Sequence, residues 1–235
     1  MGFIDDNLRI IEEKIGVACR ESGRRSDEIT IVAISKTVAP ELIIEARRAG
    51  LKHFGENKVQ EAALKIPKTG FGRQSDDGAI WHMVGHLQTN KAKTAAALFD
   101  RIDSVDSLKL AESLSKECAK IGRQMTVLLE INSSGEAAKF GYAPDKLLPD
   151  ARSIAKMDNL NLAGLMTVGP LTDDPLRIDE SFALTREYYR QMQDELGDSI
   201  KILSMGMSAD YEKAIKFGAT EVRIGTAIFG PRDYD

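Results

Sequence analysis

The stretch TIVAISKTVAPELIIEARRAG (30–50) joins a short apolar run to a longer helical segment. The run TIVAIS has the length of a strand and ends at a turn, which predicts a β-strand. Pro40 opens the following segment and Gly50 closes it, and this asymmetry is typical of an α-helix. The stretch therefore predicts one strand–helix unit.

The same alternation continues to the carboxyl end of the chain. The further strand candidates are HFG (53–55), IWHMVG (80–85), RIDSV (101–105), TVLLEIN (126–132), LAGLMTV (162–168), IKILSMG (200–206) and EVRIG (221–225). About eight strands with helices between them favour parallel pairing through right-handed crossovers. Eight is the number that closes a barrel, so the predicted fold class is α/β, a single (β/α)8 barrel of the TIM type.

An additional helix is predicted before the first strand. Its apolar residues recur at steps of three and four, and they are Ile4, Leu8, Ile11, Ile15 and Ala18. We expect residues 1–24 to form a helix that packs on the barrel, and residues 1–235 to form one domain. The stretch PKTGFGRQSDDG (67–78), with its Gly, Ser and Asp residues, predicts a mobile loop before the third strand.

Composition excludes several classes of protein. The net charge of −4 gives no general attraction to nucleic acid or to acidic membranes. No apolar run approaches the length of a membrane span, and the amino terminus lacks the features of a signal peptide. Cys19 and Cys118 match no metal-ligand spacing and suit a reducing compartment. We therefore expect a cytoplasmic protein without a metal site.

The residues that carry chemistry are expected at the carboxyl ends of the strands, where barrel enzymes place their sites. Lys36 follows the first strand, a position at which a solvated surface lysine is the ordinary alternative. Gly225 and Thr226 follow the eighth strand and begin a short helix, whose N–H groups can bind an anion. Ser204 and Ser208, around the end of the seventh strand, can add hydroxyl donors. These positions predict a phosphate site, although such residues also cap helices.

A lysine opposite a phosphate site suits two classes of ligand. One is a sugar phosphate held as an aldolase-type Schiff base, and the other is pyridoxal 5′-phosphate. Arg223 favours the second, because it lies two residues before Gly225 and should point into the barrel. A guanidinium there could donate a hydrogen bond to a pyridine nitrogen. The structural alternative is an inward arginine paired with a carboxylate such as Glu130.

Seven segments of the chain closely resemble the pyridoxal phosphate homeostasis proteins, the YggS-like and PROSC-like family. They are AISKT (33–37), FGENKVQE (54–61), WHMVGHLQTNK (81–91), INSSGEAAKFG (131–141), GLMTVG (164–169), SMGMSADYEKAI (204–215) and VRIGTAIFG (222–230). The resemblance runs from about residue 29 to the end and includes every predicted strand. It implies a barrel like the amino-terminal domain of alanine racemase, with pyridoxal 5′-phosphate as cofactor.

The resemblance also implies roles for individual residues. Lys36 would carry the Schiff base, Arg223 would face the pyridine nitrogen, and the phosphate would lie against Gly225, Thr226, Ser208 and Ser204. Asn57 would lie near the phenolic oxygen of the ring and Met166 against its face. His82 is either a cofactor contact or a packed core histidine. Lys139 matches a lysine of the family, and is either a secondary lysine or a solvated loop residue.

The chain departs from the family pattern at two positions close to the predicted site. Val38 stands where many relatives carry a second lysine, and Lys58 stands where an aromatic residue is common. Any secondary lysine role therefore shifts toward Lys139.

The sequence predicts a protein that holds the cofactor and does not turn over a substrate efficiently. A racemase needs a second acid or base on the opposite face of the substrate. The chain ends ten residues after Gly225, at Asp235, so we expect no further domain to supply that group. An arginine at the pyridine nitrogen also weakens the ring as an electron sink.

Two alternatives to simple holding stay open. One is a small pyridoxal-dependent amino-acid racemase, and the other is a module that delivers the cofactor by transient contact with apoenzymes. We expect a monomer.

Overall fold

The structure is a computed structural model that describes residues 2–72, 78–136 and 138–231. Its strands are β1 (Thr30–Ile34), β2 (His53–Glu56), β3 (Ile80–Met83), β4 (Arg101–Val105), β5 (Met125–Glu130), β6 (Leu160–Met166), β7 (Ile202–Ser204) and β8 (Glu221–Ile224). Its helices are α1 (Phe3–Glu21), α2 (Pro40–Arg48), α3 (Val59–Thr69), α4 (Ala92–Leu98), α5 (Leu108–Lys120), α6 (Pro144–Ile154), α7 (Pro175–Leu196), α8 (Tyr211–Lys216) and α9 (Thr226–Phe229).

The eight strands form a closed parallel barrel in chain order. β8 returns to pair with β1, with Arg223 opposite Val32, and β1 pairs with β2, with Ile34 opposite Gly55. This confirms the predicted (β/α)8 barrel. Gly55 gives room to Ile34, because a Cβ at residue 55 would lie 2.7 Å from Cδ1 of Ile34 and would make that side chain shift.

The helix predicted before the first strand is α1, and it packs on α8 and α9. The buried residues of α1 are the five apolar residues named in the sequence analysis, together with Cys19. None of the helices in the described residues combines the length and hydrophobicity that crossing a membrane requires.

Two elements differ from the sequence prediction. The helix α4 was not predicted, because its buried side chains are the alanines Ala92, Ala95 and Ala96, which give little hydrophobic contrast. The helix α3 continues through Pro67 to Thr69, so the segment predicted as a loop from residue 67 is helical at its start. At the end of this helix the Thr69 hydroxyl lies 2.7 Å from the carbonyl oxygen of Ile66 and 2.9 Å from that of Phe71, and its single O–H can donate to either. Residues 73–77 of the predicted mobile loop lie outside the described residues.

A buried ionic network fills the interior at the end where the strands begin. Arg101 Nε donates to Asp103 Oδ1 at 2.6 Å, and its Nη2 donates to Glu221 Oε1 at 2.6 Å. On the other side of Asp103, its Oδ2 lies 3.0 Å from Nδ1 of His82. His82 Nε2 lies 2.9 Å from Nδ1 of His53. Burial lowers the pKa of His53 to about 3, so this imidazole is neutral at physiological pH.

Three side chains of this network also have the arrangement of metal ligands. One ligand atom each from His82, Asp103 and Glu221 lies within 4.8 Å of the others. The Arg101 guanidinium, however, already donates to both carboxylates. The cation at the centre of the network is therefore an arginine, and its charge outweighs burial to hold the pKa of Asp103 well below its ordinary range.

Glu130 is the buried carboxyl at the opposite end of the interior. It ends β5 opposite Met166, is 7% exposed, and its Oε2 has no hydrogen-bond partner. Burial raises the pKa of Glu130 to about 7, although Arg223 acts to lower it, and Asp106 raises it further. The carboxyl is therefore partly protonated at neutral pH.

Replacing Arg101 with methionine should destabilise the fold strongly, because Asp103 and Glu221 would stay buried without their cation. We expect the free energy of unfolding to fall by about 3–5 kcal/mol. Denaturant unfolding followed by circular dichroism measures this loss. The control is Arg9→Met, which removes an exposed helical ion pair with Glu13 and should cost under about 1 kcal/mol. Equal losses in the two variants would contradict a structural role for the network.

Glu130 should make the stability depend on pH. Between its ordinary pKa of 4.5 and its folded pKa of about 7, the folded chain holds a proton that the unfolded chain has released. The free energy of unfolding therefore falls as pH rises through this window, by about 3 kcal/mol in total. Glu130→Gln should remove this part of the decline in urea unfolding at a series of pH values. The exposed control Glu112→Gln should keep it, and parallel profiles for Glu130→Gln and the wild type would contradict the assignment.

Candidate functional site

The carboxyl ends of the eight strands meet at one end of the barrel, which we call the mouth. The residues predicted from the sequence to form the site lie at the ends of five strands around it. They are Lys36 after β1, Asn57 after β2, Met166 at the end of β6, Ser204 and Ser208 at and after β7, and Arg223, Gly225 and Thr226 at and after β8. Because β1 pairs with both β2 and β8, three of these strand ends are direct neighbours.

Lys36 and Asn57 lie at the mouth because they follow β1 and β2 directly. The side chains just before them, Ser35 and Glu56, point outward, since Ser35 Oγ donates to Glu56 Oε1 at 2.6 Å and both residues bond to Lys65 of α3. Lys36 and Asn57 themselves lie in the turns that come after the strands. The side chain of Lys36 is half-buried, and among the described residues its ammonium has no hydrogen-bond or ion-pair partner.

Arg223 points into the barrel, as the sequence predicts. Glu221, two residues earlier, reaches Arg101 of β4 across the interior, so the side chains of both residues lie inside. Arg223 Nη1 donates to Ser204 Oγ at 2.9 Å, and its Nη2 donates to the carbonyl of Thr167 at 2.6 Å. These bonds join the ends of β6, β7 and β8. The alternative ion pair with Glu130 is absent among the described residues, although Arg223 still acts to lower the pKa of that carboxyl.

Backbone N–H groups converge where β8 ends. Those of Gly225 and Ala227 point at Ser208 Oγ, at 3.3 and 3.4 Å. The N–H groups of Gly225 and Thr226 were predicted from the sequence to bind an anion, and the structure adds that of Ala227 to the donors near Ser208. Thr226 begins α9 with an exposed side chain. These donors and the Ser208 hydroxyl form a polar surface suited to an anion.

Asn57, after β2, and Met166, at the end of β6, are the remaining predicted residues at the mouth. Asn57 packs under Gly85, where a Cβ would lie 2.5 Å from the Asn57 carbonyl oxygen, so a glycine is required for the two loops to meet. Met166 is fully buried and is paired in register with Ser204 on one side and Glu130 on the other. A thioether at this position offers a polarisable contact for an aromatic ring.

His82 and Lys139 are not grouped with the other predicted residues. Both ring nitrogens of His82 are engaged, with Asp103 and His53, in the ionic network of the interior. Lys139 lies in the loop after β5, where its Nζ donates to Glu136 Oε1 at 2.9 Å and to the carbonyl of Gly169 at 3.0 Å. In this arrangement Lys139 joins the loops that follow β5 and β6.

The sequence analysis missed a contact between the loops at the rim of the mouth. The ring of His86, after β3, stacks on that of Phe140, after β5, with centroids 3.6 Å apart and planes 9° from parallel. His86 Nδ1 also lies 2.9 Å from Asp106 Oδ2 in the loop after β4. His86 and Phe140 both lie within segments that carry the family resemblance, which was the available signal. Their contact depends on the closure of the barrel.

The donor set at the mouth matches a ligand with an aldehyde, a phosphate and an aromatic ring. Lys36 offers a primary amine, and the N–H groups around Ser208 offer neutral donors to phosphate oxygens. Arg223 has five N–H donors, and the two contacts to Ser204 and Thr167 leave others for a ligand. The buried Glu130 oxygen without a partner lies at the same end of the barrel.

Comparison with known proteins agrees with this geometry. Residues 19–233 match the family model described as alanine racemase, N-terminal domain. The pyridoxal phosphate homeostasis protein of Haemophilus influenzae is 38% identical over 98% of this chain and 97% of its own length. That of Escherichia coli K12 is 38% identical over 100% of this chain and 99% of its own.

Solved structures extend the comparison. PipY of Synechococcus elongatus, solved with PLP bound, superposes with a TM-score of 0.82 at 32% identity, over 97% of this chain and all of that one. Alanine racemase of Clostridium difficile superposes with a TM-score of 0.75 at 18% identity, covering 98% of this chain and 58% of that enzyme, a likeness of fold. The chain belongs to the pyridoxal phosphate homeostasis protein family, built on the fold of the alanine racemase N-terminal domain.

Proposed function

We propose that this chain binds pyridoxal 5′-phosphate reversibly, as a Schiff base on Lys36, and serves in the homeostasis of that cofactor. The observation that carries the proposal is the unpartnered, half-buried amine of Lys36 after β1, beside β8, which presents Arg223 and the N–H groups near Ser208. The homeostasis proteins named above and PipY with PLP bound support the choice of ligand.

Each group of the ligand has an assigned place. Gly225, Thr226, Ser208 and Ser204 hold the phosphate, Arg223 donates to the pyridine nitrogen, Asn57 lies near the phenolic oxygen, and Met166 lies against the ring. The neutral amine of Lys36 adds to the aldehyde carbon and one water molecule leaves, so the bond is reversible by hydrolysis or by exchange with another amine.

The site suits holding better than turnover. The ring of the bound cofactor withdraws electrons most strongly when its nitrogen is protonated. Arg223 opposes that proton by like-charge repulsion, and its bonds to Ser204 and the Thr167 carbonyl keep the guanidinium in place. In addition, none of the residues assigned above to the ligand, apart from Lys36, is the second acid or base that racemisation requires. From the two features together we propose buffering and delivery of the cofactor, with at most slow racemase-type chemistry.

Further parts of this proposal concern location and partners. Cys19 and Cys118 are buried and form no disulfide, which suits the reducing cytoplasm. We propose a monomer that meets pyridoxal-dependent apoenzymes transiently at its mouth. Lys139, whose ammonium bonds to Glu136 and Gly169, is the second lysine that we propose for cofactor on its way in or out.

Lys36→Ala should abolish the yellow absorbance that forms when pyridoxal 5′-phosphate is added to the purified protein. Borohydride reduction followed by peptide mass spectrometry should place the cofactor on residue 36 of the wild type. The matched control is Lys116→Ala, which removes an exposed lysine of α5 and should leave the absorbance unchanged. A colourless wild type, or cofactor trapped mainly on another lysine, would overturn the proposal.

The holding role predicts little exchange of the α-hydrogen of amino acids. The loaded protein is incubated with alanine or serine in heavy water, and deuterium at the α-carbon is followed by NMR. We expect incorporation far below that of an alanine racemase at equal concentration, because none of the residues assigned to the ligand, apart from Lys36, is the acid or base that a racemase needs on the opposite face of the substrate. Sustained exchange at enzymic rates that is lost in Lys36→Ala would establish the racemase alternative instead.

A further inference from the structure

The backbone beside Lys36 has an unusual conformation. Thr37 has φ +60°, and it is the non-glycine residue with positive φ in the part of the chain that the structure describes. This region is unfavourable for a β-branched residue, and such residues persist where their surroundings hold them. Its own hydroxyl donates to the carbonyl of Lys36 at 2.7 Å. The chain therefore needs a further constraint at the turn that presents Lys36.

A buried lysine of α3 supplies one half of that constraint. Lys65 is 7% exposed, and its Nζ donates to the carbonyl of Ser35 at 2.6 Å. The same Nζ donates to Glu56 Oε1 at 2.9 Å and to Glu61 Oε1 at 2.6 Å. Because an ammonium has three N–H bonds, all the donors of Lys65 are used.

Glu61 supplies the other half. Its Oε1 accepts the backbone N–H of Thr37 at 2.6 Å as well as the bond from Lys65. Burial acts to raise the pKa of Glu61, but the bonds from Lys65 and Thr37 outweigh it and the pKa lies below its ordinary value. One ionised carboxylate oxygen thus bridges the lysine and the strained turn.

The two bonds bracket Lys36 on both sides. The carbonyl of the residue before it is held by Lys65, and the N–H of the residue after it is held by Glu61. A pair that merely packed α3 on the barrel would require no bonds to the backbone of residues 35 and 37. The observed bonds restrict the rotation of the backbone on either side of Lys36, and so restrict the direction in which its side chain leaves the strand.

We propose that Lys65 and Glu61 are positioning residues that fix the direction of the Lys36 side chain and thereby set its affinity and rate toward the aldehyde of pyridoxal 5′-phosphate. This inference rests on the proposed function of Lys36 and adds a second layer of residues to it. Neither residue touches the ligand. Both act through the turn of residues 35–37.

The test uses the variants Lys65→Met, Glu61→Ala and Glu61→Gln in the full-length protein. Lys65→Met keeps most of the buried volume and removes the donors. Glu61→Gln keeps an oxygen that can accept the Thr37 N–H while removing the charge. The control is Lys14→Met, which removes a surface ion pair with Glu212 distant from the turn. Circular dichroism and thermal unfolding establish that each variant is folded at the temperature of the assay.

Titration with pyridoxal 5′-phosphate, followed by absorbance, then gives the dissociation constant and the association rate over a range of pH. We expect Lys65→Met and Glu61→Ala to weaken binding by about tenfold or more, the size expected for loss of a charged hydrogen bond. We expect Glu61→Gln to be intermediate, Lys14→Met to match the wild type, and the pH profile of association to shift in the first two variants. The rate at which an acylating reagent modifies residue 36 without cofactor, read by peptide mass spectrometry, should change in the same order.

Folded variants with the wild-type affinity, pH profile and acylation rate would overturn the inference. If Glu61→Ala does not fold, the inference is tested with Glu61→Gln and Lys65→Met. Unchanged affinity and an unchanged acylation rate in both of these variants would also overturn the inference. A wild-type protein that does not bind the cofactor would overturn the proposed function, and unchanged acylation rates across the variants would then overturn this inference separately.

Discussion

The pairing of β8 with β1 closes the barrel, and the site depends on that closure. Val32 lies opposite Arg223 although the two residues are 191 positions apart in the chain. Without this pairing the amine of Lys36 and the donors around Gly225 would belong to opposite ends of an open sheet. With it, the carboxyl ends of β1, β2 and β8 stand side by side, so a ligand of a few ångströms can reach all three.

The barrel interior is charged at both ends, which requires compensation because isolated charges are costly to bury. Where the strands begin, Arg101 lies between Asp103 and Glu221, and the two histidines continue the network. Near the mouth, Arg223 is held by a hydroxyl and a carbonyl, and its carboxylate counterpart Glu130 is partly protonated. The charged groups where the strands begin bond to one another. Near the mouth, Arg223 has N–H donors and Glu130 has an oxygen without a protein partner, and this is the end of the barrel at which we place the ligand.

A holder of a reactive aldehyde must bind it firmly and still release it. The proposed site separates these demands. In that proposal the phosphate and the ring would be bound mainly by groups fixed by β6, β7 and β8, whereas the covalent bond would form on Lys36 after β1, at a turn held by Lys65 and Glu61 of α3. The fold shared with alanine racemase shows that this barrel also serves in enzymes, so the function follows from the residues at the mouth and not from the barrel itself.

The sequence by itself determined the barrel and the main residues of the candidate site. The eight apolar runs and the helices between them predicted the closed sheet, because the alternation of strands and helices is a local property of the chain. The positions of Lys36, Ser204, Arg223 and Gly225 at strand ends predicted that they would meet. The alanine-rich α4 and the helical turn through Pro67 escaped prediction, because small side chains give weak periodicity and a proline usually ends a helix.

Only the tertiary structure decided which side chains touch. The engagement of both His82 nitrogens, the contact of Arg223 with Ser204 instead of Glu130, and the Ala227 N–H beside Ser208 depend on register between strands. The bonds from Lys65 and Glu61 to the turn around Lys36 link residues 24 to 30 positions apart. Such contacts are fixed when α3 packs across β1 and β2, and local periodicity carries no information about them.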